Sequence, residues 1–178
     1  MAATFSPVKV QTAILDYRLD WGDLLGDDTI DTATWTVTGA TKVSDSTTTT
    51  TTTARISGGS AGAVAKAVCH IVTDLGYEYE RTIDLSVTAS IELPPIIKAP
   101  GELIAVPAPS WADLGDDTIS AYAWTAAAGL TVVSGYAAAA ITHISGGTLG
   151  SDYALTCTIT TASGQVDARV FPVQVRER

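Results

Sequence analysis

ISGGTLGSDYALTCTITTASGQVDARVFPVQV, residues Ile144–Val175, is the stretch that decides the fold, because the chain contains it twice. Ile144-Ser145-Gly146-Gly147, Gly150, Cys157, Ile159, Gly164, Arg169 and Val175 fall 88 residues after Ile56-Ser57-Gly58-Gly59, Gly62, Cys69, Ile71, Gly76, Arg81 and Val87. No gap interrupts that register over 32 positions. Upstream the match continues with single-residue slips. Gly26-Asp27-Asp28-Thr29-Ile30 and Trp35 recur 89 residues later as Gly115-Asp116-Asp117-Thr118-Ile119 and Trp124, and Trp21 recurs 90 later as Trp111. The period is far longer than a solenoid unit, so each copy is expected to be a whole small domain.

Working outward, residues alternate in character along each copy, the period of a half-buried strand. Ala33, Trp35 and Val37 alternate with Thr34 and Thr36. Ala65, Ala67, Cys69, Ile71 and Thr73 share one face, as do Tyr153, Leu155, Cys157, Ile159 and Thr161 in copy two. Ile83, Leu85 and Val87 point inward on the last strand, and Phe171, Val173 and Val175 take those places in copy two. Pro172 faces outward and cannot donate to a ladder, which places it at an edge or bulge. No 3.6-residue apolar stripe is sustained anywhere. Short strands between Gly and Asp turns predict an all-β chain of two tandem antiparallel sandwiches. Trp35 and Trp124 are the expected large core residues, with Cys69, Cys157, Ile71 and Ile159 beside them. Gly58, Gly59, Gly146 and Gly147 read as positive-φ turn residues closing a hairpin.

The domain plan is an N-terminal arm over 1–15, a first sandwich over 16–88, a linker over 89–102 and a second sandwich over 103–178. Phe5 and Pro7 mark the arm, which can add an edge strand or reach a neighbour. Pro94-Pro95 and Pro100 make the linker stiff and extended. Thr47–Thr53 is an unbroken threonine tract that specifies register weakly. It and its counterpart Ala137–Ala140 read as an edge strand or hairpin arm.

Composition narrows the function. The 178 residues are 46% hydrophobic and 16% charged, ordinary for a globular β-rich protein. A net charge of −9 argues against a nucleic-acid backbone as partner. Met1–Pro7 is polar and offers no secretory signal, and no run approaches the roughly 20 apolar residues of a membrane span. Cys69 and Cys157 occupy equivalent positions, so neither domain can hold an internal disulfide; they read as buried fillers, in keeping with assembly in a reducing cytoplasm. There is no Asn and hence no glycosylation acceptor.

Candidate chemistry is sparse. His70 and His143, the only histidines, fall at unrelated positions of the repeats, whereas a metal or a triad needs several such groups to converge. No Cys-x-x-Cys, phosphate loop or nucleophile elbow occurs. Asp20, Asp23, Asp27 and Asp28 in copy one, and Asp113, Asp116 and Asp117 in copy two, cluster on a turn. Asp is a common turn former; a calcium ion is the functional alternative, though the spacing is not that of an EF-hand. Arg81 and Arg169 precede the last strand in both copies and are expected either to pair across strands or to stack on a ring.

The order Trp21-x-Asp23-Leu24, Gly26-Asp27-Asp28-Thr29-Ile30, Trp35-Thr36, Ile56-Ser57-Gly58-Gly59, Cys69-x-Ile71-x-Thr73, Gly76, Arg81 and Val87, repeated from Trp111, resembles a small Ig-like domain of tailed bacteriophages, the phage fiber-tail adaptor family. About 150 residues carry the likeness. Copy two departs from it where Val106 and Pro107 stand in place of Asp16-Tyr17, and where one residue of the following turn is missing. The resemblance implies a structural virion protein with no cofactor and no catalytic residues. It also implies assembly in the bacterial host cytoplasm, and symmetric copies contacting tail, fiber, neck or major capsid proteins. A capsid decoration or cement protein is the next reading, a neck or tail-tube part the third. A carbohydrate-binding module aiding adsorption is the alternative of another class, and an accessory hydrolase is the weakest.

Overall fold

Residues 6–111, 114 and 117–177 are described by a computed structural model, and their strands fall into two units divided between residues 89 and 90. In the first, β1 (Val8–Val10), β2 (Ile14–Asp20), the single turn α1 (Gly22–Leu25), β3 (Ile30–Thr38), β4 (Thr41–Thr47), β5 (Thr51–Ser57), β6 (Val64–Thr73) and β7 (Glu78–Thr88) follow in order. One sheet runs β1-β7-β6-β3, and β2, β5 and β4 form the other. All these pairings are antiparallel except β1 on β7, which is parallel. This strand order is that of an Ig-like sandwich, with its initial strand carried to the sheet of the final one.

The second unit repeats the plan. Its strands are β8 (Ile96–Lys98), β9 (Ile104–Pro107), β10 (Ile119–Ala126), β11 (Leu130–Val132), β12 (Ile141–Gly146), β13 (Asp152–Thr161) and β14 (Val166–Val175). β13 lies between β10 and β14, with β8 parallel on β14, and a second sheet runs β11-β12-β9.

The alternation seen along the chain is what fills both cores. Ala65, Ala67, Cys69, Ile71 and Thr73 of β6 are buried, as are Ile83, Leu85 and Val87 of β7. Leu155, Cys157, Ile159 and Thr161 do the same on β13, with Val173 and Val175 on β14. Each fully buried Ile, Leu or Val contributes about 1.5–3 kcal/mol. Trp35 and Trp124 are buried, and each stands directly across the ladder from the cysteine of its own domain. Their indole N–H groups fare differently: Trp124 Nε1 donates to Ala139 O at 2.8 Å, whereas Trp35 Nε1 meets no acceptor.

The structure departs from the sequence reading in some places and agrees with it in others. The glycine pairs have positive φ but do not close hairpins, because β5 and β6 belong to different sheets and so do β12 and β13. The pairs turn the chain from one sheet to the other. The arm and the linker carry β1 and β8, whose backbones complete the last strand of each sandwich. Phe5 lies outside the described residues. The threonine tract spans the β4–β5 hairpin, and Thr52 in it is fully buried. Ala137–Ala140 forms no strand; its carbonyls instead serve Trp124 N, Trp124 Nε1 and Ala108 N. Pro172 lies within β14 rather than on an edge. Its neighbour is irregular there: Glu92 bridges Val170 and Ile96 pairs with Val173, so four steps, through Pro94-Pro95, match three. The missing donor falls beside an existing break in the ladder. Copy two keeps its initial sheet strand as β9, at four residues against seven for β2.

Candidate functional site

The acidic turn of the first sandwich lies beside the turn between its last two strands, and Asp117 takes the matching place in the second. In the first domain Asp20 Oδ1 accepts from Gly22 N at 2.9 Å, and Asp23 lies in the first turn of α1. Asp28 Oδ1 accepts from Thr29 N at 2.8 Å, while its Oδ2 is shielded and meets no donor. Asp74, on the turn after β6, accepts from the Thr29 hydroxyl. In the second domain Asp117 Oδ1 accepts from Thr118 N at 2.9 Å, and its Oδ2 is taken by Ser163 Oγ at 2.5 Å and Gln165 Nε2 at 3.1 Å. These hydrogen bonds, that from Ser163 first, hold the Asp117 carboxyl well below the usual carboxylate range. Asp113 and Asp116 lie outside the described residues. Among the described residues, no three His, Cys, Asp or Glu side chains are grouped to hold a metal ion.

Both domains build the same clamp next to that turn. The Arg81 guanidinium lies over the Trp21 ring at 4.4 Å from its centroid, and Arg169 lies over Trp111 at 4.7 Å. Such cation–π contacts stabilise by roughly 0.5–2 kcal/mol. Arg81 also donates to Asp20 O, and Arg169 pairs with the buried Asp167. Trp21 is the largest side chain with no exposure, and its Nε1 donates to Thr52 Oγ1 at 3.0 Å. The clamp ties the start of each acidic turn to the last strand.

The two histidines stay apart. His70 Nε2 lies 3.3 Å from Glu78 Oε2 on the outer face of β6, and His143 packs on Tyr136 with ring centroids 4.2 Å apart. Neither approaches a serine, cysteine or second histidine in a nucleophile–base arrangement among the described residues.

The family described as podophage GP4 fiber-tail adaptor protein gp77 matches residues 9–86 and again residues 98–174. This chain belongs to that adaptor family. Each match covers one sandwich and takes in the Trp, Asp-Asp-Thr, Ser-Gly-Gly and Arg positions described above. The adaptor matches no curated protein sequence. Among solved structures it is similar to a chimeric titin Z1Z2 tandem carrying a decorin peptide, at 9% identity over 99% of this chain and 96% of that one, with a TM-score of 0.37. The Ig1-2 module of the Drosophila receptor protein tyrosine phosphatase DLAR is 10% identical over 98% and 95%, with a TM-score of 0.34. SGBP-B of a Bacteroides ovatus mixed-linkage glucan utilization locus is 18% identical over 97% of this chain and 43% of its own, with a TM-score of 0.31. The Ig-like assignment of the adaptor follows from its strand order.

Two residues of the adaptor that sequence reasoning passed over prove to be built into both copies. Lys9 on β1 and Lys98 on β8 are fully buried. Lys9 Nζ donates to Gly58 O at 2.9 Å and Val10 O at 3.0 Å; Lys98 Nζ donates to Gly146 O at 2.7 Å and Ala99 O at 2.8 Å. Each lysine holds the first glycine of the turn that leads from one sheet to the other. The signal was their 89-residue separation, within the slips already found upstream.

The adaptor's cysteines are buried and free. Burial pushes the Cys157 thiol up to about 12 from an ordinary 9.0. Burial also raises Cys69, partly offset by its hydrogen bond with Thr52. The folded state therefore holds the Cys157 proton more tightly than the unfolded chain does. That contribution is complete below pH 9 and is lost as pH rises from 9 through about 12. Urea midpoints should fall across that window, and Cys157→Ala should flatten the slope; an unchanged slope would show that another group sets it.

Proposed function

We propose that this adaptor is a non-enzymatic part of the phage particle, one Ig-like sandwich docking on the tail machinery and the other presenting a surface to the fiber. The double family match over residues 9–86 and 98–174 carries this reading. It is supported by the presence of two sandwiches braced by the same arginine–tryptophan clamp. Work is done by shape and by many weak contacts, which symmetric copies in the particle multiply into avidity. Assembly takes place in the bacterial host cytoplasm, where the two free thiols stay reduced.

Imaging of gold-labelled protein on purified particles tests the placement. Label at the junction of tail and fiber is expected. Label spread over the capsid shell would replace this reading with a decoration protein. Sub-millimolar binding on a glycan array would replace it with a carbohydrate-binding module.

A further inference from the structure

The two domains share their fold, their clamp and their glycine turns, yet they differ sharply at one spot. In the second domain the turn after β13 supplies Ser163 and Gln165, whose side chains close over Asp117 Oδ2. The positions 88 residues earlier are Leu75 and Tyr77, and Asp74 replaces Ala162. Leucine has no donor, and Tyr77 gives none to Oδ2 of Asp28, the counterpart of Asp117. Asp28 Oδ2 accordingly has no donor. Instead Leu75 and Tyr77 stand 73% and 58% exposed, beside Leu24 at 43%.

These side chains surround a hollow of about 550 Å³, and Asp27, Asp28 and Asp74 also line it, with no lysine or arginine among the lining residues. Apolar side chains held in water around a hollow are a standing cost that their burial would recover. The second domain has a hollow of similar size, about 560 Å³, at the matching end, but among the described residues Asp117 is the one carboxylate lining it, and Ser163 and Gln165 hold that one. The carboxylates add a negative field that only a cationic partner offsets.

We propose that this hollow is a docking site for a segment of a neighbouring virion protein that presents an apolar side chain flanked by lysine or arginine. The inference rests on the adaptor reading and assigns the first domain a partner chemistry that the second does not share. The apolar anchor displaces water from Leu24, Leu75 and Tyr77, while its cations face Asp27, Asp28 and Asp74. An anchor buried at the centre of such a contact supplies most of the affinity. The rim charges set the association rate and the salt dependence.

The test mixes particles assembled without this chain with the purified full-length protein and measures cosedimentation. Variants are Leu75→Asp, Asp27→Lys and, at the far end of β6, Val64→Asp, another exposed apolar residue at 62%. Thermal melts confirm that each variant is folded. Wild type and Val64→Asp are expected to bind alike, Leu75→Asp and Asp27→Lys to lose at least tenfold, and wild-type binding to weaken as salt rises. Undiminished binding by Leu75→Asp overturns the docking site and leaves the adaptor reading standing. Loss with Leu75→Asp but not with Asp27→Lys overturns the cationic partner. A wild-type dimer in solution that Leu75→Asp splits would mean that a second copy covers the hollow, against the proposal. Wild type that fails to bind particles at all counts against the adaptor reading itself.

Discussion

Trp21→Ala is expected to destabilise the first domain by about 3–5 kcal/mol, the usual range for removing a buried tryptophan. The ring has no exposure, stacks under Arg81 at 4.4 Å and donates to Thr52 Oγ1 at 3.0 Å. Thr52 Oγ1 in turn lies 3.4 Å from Cys69 Sγ, so one indole links β2, β5 and β6 across the sandwich. A domain of this size has a total stability of only about 4–13 kcal/mol. At the low end of that range the loss unfolds an appreciable fraction of the first domain. Trp21→Phe keeps most of the ring and removes the hydrogen bond, so about 1 kcal/mol should go. Trp111→Ala should cost less than Trp21→Ala, because Trp111 is only half-buried and its Nε1 has no partner to lose. Urea unfolding followed by tryptophan fluorescence and circular dichroism reads the two domains. Equal losses for Trp21→Ala and Trp111→Ala would refute the burial argument.

Gly147→Ala should destabilise the second domain by about 2–5 kcal/mol. Two costs add. The residue has φ +86°, where a side chain costs about 1–2 kcal/mol. A Cβ there would sit 2.6 Å from Val175 Cγ2, a fully buried, β-branched side chain with little freedom to move. Overpacking of that kind costs about 1–3 kcal/mol more. Gly59→Ala meets Val87 Cγ2 at 2.9 Å and should show the same effect, less severely, in the first domain. Gly150→Ala has φ +82° with open space around it and should show the backbone cost alone. If urea midpoints put all three variants level, the close approach to the last strand would not explain the repeated glycine pair.

Much of the fold was legible beforehand, for a local reason. Strand side chains alternate faces, so Ala65 through Thr73 and Leu155 through Thr161 declare a buried side without any knowledge of what lies against it. The duplication then makes each copy a check on the other, which is how Trp35 and Trp124, and likewise Cys69 and Cys157, could be assigned to equivalent positions of two cores. Arg81 and Arg169 were recognisable as a pair with two possible roles. Only the folded chain chose stacking on Trp21 and Trp111, because those rings lie some 60 residues away in sequence.

The candidate surface was less legible. The acidic residues were visible as turn formers, yet nothing along the chain says that Ser163 and Gln165 satisfy Asp117 while Leu75 and Tyr77 leave Asp28 Oδ2 without a donor. Lys9 and Lys98 read as ordinary surface cations, since a lysine is seldom buried; they are held inside by carbonyls of Gly58 and Gly146 nearly fifty residues away. By itself the sequence determined the all-β plan, its doubling and the inward faces of β3, β6, β7, β13 and β14, because periodicity and repetition are properties of neighbours along the chain. The tertiary structure alone decided that the glycine pairs cross between sheets, which lysines hold them, and which of two matching turns is left open, because each of those outcomes depends on atoms that meet only through space.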